Sequence, residues 1–200
     1  MPKRIDVERR RRELAEAVWT VVRERGIGAL SVRTVAAEAG VAVGSLRHVF
    51  PTRSELVVFS AELMLSRARS RIDAVPRTGD VEDDVLALLV ELLPVTPDAR
   101  AELDVNLALI AEAPAVPELV PVRDRATREL GEFFDSIASW LMSDAAGIPQ
   151  ERVDAGLRGR RLFALVDGLA LHLLGEPVGG DPEWAVEILR DEIAALHRVL

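Results

Sequence analysis

The segment from Ser31 to Phe50 reads SVRTVAAEAGVAVGSLRHVF. Its later residues are donors. Arg47 carries a planar fork that matches O6 and N7 of guanine. His48 can donate to a phosphate or a base edge, and Ser45 to either. Ahead of them stand Ala42, Val43 and Gly44, all short, and Gly44 lets a backbone come close to another surface. A slim leading end followed by donors suits a helix that enters the major groove of duplex DNA. Other chemistries lack their residues. The histidines are His48, His172 and His197, and no two stand at a close ligand spacing. There is no cysteine, no glycine-rich phosphate loop after a strand, and no Ser/His/Asp set in a recognisable context. No catalytic residue, metal or cofactor is therefore expected.

The elements that must hold this set are short helices. Ser31 suits an N-cap for a helix over Val32 to Ala39. Gly40 stands where the chain must turn sharply, with positive φ expected. A second helix follows over about Ala42 to Val49, and Pro51 ends it. Val35, Ala36, Val41 and Leu46 are spaced to pack this pair against an earlier helix, about Val7 to Arg25, whose apolar face is Leu14, Val18, Val21 and Val22. Two helices joined this way form a helix-turn-helix. Thr52 and Glu55 then make a capping box for a fourth helix that runs to about Asp73.

Residues 9–56 resemble the DNA-binding domain of the TetR (tetracycline repressor) family of regulators. The resemblance rests on Glu24-Arg25-Gly26, Ser31-Val32-Arg33, Val35-Ala36, Ala39-Gly40-Val41, Gly44-Ser45-Leu46, Phe50, and Thr52 to Leu56. Some 48 of the 200 residues carry it, and the combined spacing is specific. It implies DNA-facing positions at Ser31, Arg33 and Thr34, at Ala42, Val43, Gly44 and Ser45, at Arg47 and His48, and at Thr52 and Arg53. Departures occur at Ala42, where the family often has Ser, and at Arg47 and His48, where it often has aromatics. Fewer aromatic and more cationic phosphate contacts should result. The resemblance also implies a homodimer on a pseudo-palindromic operator, and repression relieved by a small ligand.

Charge agrees with a division of labour. The net charge is −8, yet residues 1–71 hold 14 Lys/Arg against 8 Asp/Glu, and residues 72–200 hold 11 against 25. The basic part would face phosphates, and the acidic part would stay off them. Further helices are expected at about 81–93, 98–112, 118–145, 150–174 and 182–199, giving an all-α fold of about nine helices. The expected domains are 1–51 for DNA binding, 52–75 as a connecting helix, and 76–200 for ligand binding and dimerisation. No stretch approaches the roughly 20 apolar residues of a membrane span. No apolar segment follows the charged Met1 to Arg12, so a cytoplasmic protein without a membrane partner is expected.

In the body, Asn106, Phe133, Trp140 and His172 lie in apolar helices. They are candidates to contact a small hydrophobic or aromatic effector, neutral or cationic. Asn106, Trp140 and His172 can equally be satisfied core or interface groups. Leu162, Leu165, Val166, Leu169 and Leu173, with Val186, Leu189, Ile193 and Leu196, make the last two helices more apolar than one chain needs, which points to a dimer interface. Gly168 and Gly175 suggest close helix packing there. Two other readings are a helical enzyme or carrier that retains a DNA-binding head, and a ligand-independent DNA-binding protein. The first lacks a convergent polar set. The acidic body and its Pro-rich helix ends favour a sensor over the second.

Overall fold

The structure, a computed structural model, describes residues 2–115, 117–146, 152–177 and 179–198. Within them it describes all side chains except those of 2–9, 11, 12, 27, 53, 109, 144–146 and 152–154. Among the described residues there are nine α-helices and no strand. They are α1 (Pro2–Arg25), α2 (Val32–Glu38), α3 (Val43–Arg47), α4 (Arg53–Ala74), α5 (Val81–Val90), α6 (Pro97–Glu112), α7 (Val120–Ala146), α8 (Arg152–Leu174) and α9 (Glu183–Arg198). Most boundaries fall within a few residues of those expected. Two differ in kind. α1 begins at Pro2, ahead of the expected Val7, and α3 is only five residues long because His48 and Val49 already form the turn into Phe50 and Pro51.

The chain divides into two compact units. The first comprises Met1–Arg67 and Ala101–Asp124, and the second Ala68–Arg100 and Arg125–Leu200. This departs from the expected linear division at 51 and 75. Ala101, Val105, Ala113, Leu119 and Val122 are buried in the same core as Leu14, Val18, Val22, Leu46 and Leu56. Their apolar faces satisfy the head, so the head's unit borrows a segment from what reads in sequence as the body.

The second unit is built on α5 and α8 packed against α9. Its core includes Val85, Leu88, Phe134, Leu141, Leu162 and Leu189, and the Phe134 and Phe163 rings stack at 4.7 Å. Arg100 donates to the carbonyls of Leu173, Leu174 and Glu176 at 2.9–3.1 Å, satisfying groups that the end of α8 leaves open. The loop before α5 closes on Asp84, whose buried carboxylate accepts from the Thr78 N–H at 2.6 Å and the Thr78 hydroxyl at 2.8 Å. Those bonds hold its carboxyl below the ordinary aspartate range, against the opposing effect of burial. The glycine that close packing requires is Gly159. A Cβ there would lie 2.5 Å from Asp135 Oδ1 and 2.9 Å from its backbone nitrogen. A Cβ on Gly168 would meet nothing within 4 Å, so packing inside the chain does not explain that glycine.

Candidate nucleic-acid interface

α2 is fixed by its own cap. The Ser31 hydroxyl accepts from the Thr34 N–H at 3.1 Å, and the Thr34 hydroxyl accepts from the Ser31 N–H at 3.0 Å. Thr34 also donates to the Ala29 carbonyl at 2.7 Å. The two hydroxyls are thereby engaged in holding α2, and Arg33 between them is exposed with no polar partner among the described residues. Gly40 makes the turn at φ +63°, where a side chain would be strained. The Val41 N–H then bonds back to the Ala36 carbonyl at 2.9 Å. Val35, Ala36 and Leu46 are buried, which seats α2 and α3 on the core.

α3 turns Leu46 inward. At about 100° per residue, Gly44 and His48 then point almost directly outward, with Val43 and Arg47 on one flank and Ser45 on the other. Ala42, Val43, Gly44, Ser45, Arg47 and His48 are all exposed. The Ser45, Arg47 and His48 side chains have no hydrogen bond or ion pair among the described residues. Exposed and unpartnered, these donors are available to base edges and phosphates. Thr52 sits at the start of α4, where its hydroxyl accepts from the Glu55 N–H and donates to Glu55 Oε1, both at 3.2 Å. The Arg53 side chain lies outside the described residues.

The four effector candidates do not come together in one unit. Asn106 is half-buried in the first. Phe133, Trp140 and His172 belong to the second, where Phe133 meets Phe134 edge-on at 5.5 Å, the Arg77 guanidinium lies 4.8 Å from the Trp140 ring, and His172 is exposed. Two cavities of the second unit are lined by other residues. One, of about 200 Å³, lies among Pro94, Val95, Thr96, Arg100, Leu173 and Glu176. The other, a groove of about 440 Å³, lies among Asp135, Ser136, Ser139, Ala155 and Gly156.

The residues expected at a dimer interface are mostly covered within the single chain. Leu162, Val166, Leu169 and Leu173 of α8, with Leu189, Ile193 and Leu196 of α9, are buried inside the single chain, and Leu165 and Val186 are half-buried. They cover the core and leave little surface for a partner. α8 carries a second apolar stripe on its opposite side, Leu157, Ala164, Gly168 and Leu171. Leu157 is 70% exposed and Leu171 52%, and Ile188 of α9 is exposed as well. Spacing at 157, 164, 168 and 171 was the signal for it.

Comparison with known proteins decides the family. Residues 14–58 match the model of the bacterial regulatory proteins of the tetR family, and residues 81–198 match the BetI-type transcriptional repressor C-terminal model. The chain belongs to the TetR family. It is 35% identical to the HTH-type transcriptional regulator PksA of Bacillus subtilis, over 98% of this chain and 94% of that one. It is 25% identical to the nicotine-responsive transcriptional repressor HdnoR of Paenarthrobacter nicotinovorans, over 87% and 88%. A crystal structure of a transcriptional regulator from Rhodococcus superposes with a TM-score of 0.76 at 29% identity, covering 92% of this chain and 94% of that one. This TetR-family chain is thus a DNA-binding transcriptional repressor and not an enzyme. No described helix is long and apolar enough to cross a membrane.

Proposed function

We propose that the protein works in the cytoplasm as a homodimer. It occupies a pseudo-palindromic operator through α3 and releases it when a small hydrophobic or aromatic effector, neutral or cationic, binds the body. The observation that carries the DNA half is the outward face of α3, where Ser45, Arg47 and His48 are exposed and unpartnered opposite the buried Leu46. Arg33 supports it from α2. Thr52 and the backbone at Arg53 stand at the N-terminus of α4, where free N–H groups favour a phosphate. The hydroxyls of Ser31 and Thr34 serve DNA mainly by fixing α2.

The dimer reading rests on the second stripe of α8. Leu157 and Leu171 expose apolar surface that a folded monomer has no reason to carry, and two copies of one helix face bury it by two-fold symmetry. Gly168 lies in that stripe with open space where a side chain would go. A glycine inside a helix costs about 0.5–1 kcal/mol against alanine, and close approach of a partner helix accounts for it. The effector class is supported by the resemblance to a nicotine-responsive repressor and by Trp140, whose ring already holds a cation, Arg77.

The test is reciprocal linkage. A panel of hydrophobic amines, nicotine included, is titrated with and without operator. An effector must lower operator affinity, and operator must lower effector affinity by the same factor. Equal effector affinity in both titrations would remove the release mechanism.

A further inference from the structure

Two residues on α3, Val43 and Gly44, are not required by the chain's own core. Among the described residues from Arg10 to Arg67, the large apolar side chains are buried or half-buried except Val43, at 38% exposure, and Val49, at 39%. Val43 opens a five-residue helix whose N-cap, Ala42, makes no side-chain hydrogen bond. Valine is a weak helix former there. Gly44 follows, weaker still. Its φ is not positive and a Cβ on it would meet nothing within 4 Å, so neither backbone strain nor packing calls for glycine. Gly40 is the contrast, because its φ of +63° requires it. Local stability would favour alanine at position 44 and a polar residue at 43.

We infer that Val43 reads thymine 5-methyl groups in the major groove, and that bare Gly44 sets the close approach that lets it reach them. This rests on the reading that α3 enters the groove. The chemistry is selective. Valine has no donor or acceptor in its side chain, and the thymine methyl is the one bulky apolar group on the major-groove edges of the four base pairs. Gly44 points outward opposite Leu46, so the backbone itself can come nearest the bases, and Val43 stands on the adjoining flank with Arg47 one turn further. The helix then carries two kinds of reader on one side, an apolar one for thymine and a forked cation for guanine.

The test begins by selecting binding sites from a randomised duplex pool with the wild-type protein. In the best site each thymine is replaced singly by deoxyuridine, which removes the methyl and leaves every hydrogen-bonding group. Each single replacement at a thymine that Val43 contacts should weaken wild-type binding about fourfold, the worth of one buried methyl-sized group. Val43→Ala should bring the thymine-to-deoxyuridine ratio at that position close to one and leave discrimination at the base pair lost in Arg47→Ala unchanged. Gly44→Ala should raise the melting temperature and weaken operator binding, opposite signs that a structural role cannot give. A thymine-to-deoxyuridine ratio that survives in Val43→Ala, or no thymine sensitive to replacement, would overturn the inference. If Arg47→Ala and Gly44→Ala also leave binding untouched, the groove reading of α3 falls with it. If they weaken binding and only the methyl response is missing, the groove reading stands alone.

Discussion

α3 and α8 both present an outward face, and they compose it differently. On α3 the inward residue, Leu46, is apolar, and the exposed ones are bare or polar apart from Val43 on the flank. Inside and outside are sorted by chemistry, so the interface shows as donors with nothing to bond. On α8 both sides are apolar. Leu162, Val166, Leu169 and Leu173 are buried, while Leu157, Ala164, Gly168 and Leu171 form the opposite stripe. An interface with nucleic acid announces itself by unpartnered polarity, and one with another helix by apolar surface left over after the core has closed.

The largest effect expected separates the two stripes of α8. Leu169→Glu places an unpaired charge among packed core residues, at a cost on the order of several kcal/mol. Helical circular dichroism and solubility should be lost. Leu171→Glu, two positions on, lies on the outer stripe. It should keep folded helix content, halve the mass seen by light scattering, and lose operator binding. A Leu171→Glu variant that remains a stable dimer would move the interface off this face and break the comparison.

The next effect belongs to α3 and α2. Arg47→Ala should cost about 1–3 kcal/mol per half-site and relax preference at one base pair. Arg33→Ala should weaken selected and random duplexes alike, because phosphates carry no code. It should also flatten the plot of log affinity against log salt by about 0.9 for each phosphate contact removed. Anisotropy titrations at several salt concentrations read both. An Arg47→Ala loss equal on selected and random DNA would make Arg47 a phosphate contact and sharpen the inference onto Val43.

These contrasts explain what the sequence disclosed. The helix-turn-helix was legible because its signals are local. Ser31 stands at the N-cap of α2, Gly40 stands where φ must be positive, and Thr52 and Glu55 open α4. The all-α class and most helix limits followed from Gly, Pro and cap residues in the same way. The units were not legible, because Val105, Leu119 and Val122 join the head's core from far along the chain and nothing near them says so. The outer stripe of α8 was not legible beside the inner one, because periodicity finds apolar residues without telling which side meets the core. Asn106 and His172 illustrate the same limit for isolated polar residues. One is half-buried in the first unit and the other exposed in the second, and their apolar neighbours in sequence told them apart in neither case.

The smallest effect expected comes from Asp167, which lies on α8 beside the outer stripe. The positions one turn away, Phe163, Ala164, Ala170 and Leu171, carry no charge. Partial burial of the carboxyl raises its pKa above the ordinary aspartate value. A raised carboxylate pKa means that the folded state holds its proton more tightly than the unfolded state. Stability then falls as pH climbs from the ordinary value through the raised one, and it is level above. Asp167→Asn removes this dependence. The variant should melt slightly higher than wild type at neutral pH, on the order of 1 °C since solvent still reaches the side chain, and the difference should vanish at acid pH. If the outer stripe is the dimer interface, association desolvates Asp167 further. The wild-type dimer should then tighten as pH falls, and the Asp167→Asn dimer should respond less. Analytical ultracentrifugation of both proteins at neutral and mildly acid pH reads this directly. A variant dimer weaker than wild type at neutral pH would mean that Asp167 meets a cation across the interface, and the outward face of α8 would then resemble that of α3 more than its apolar stripe suggests.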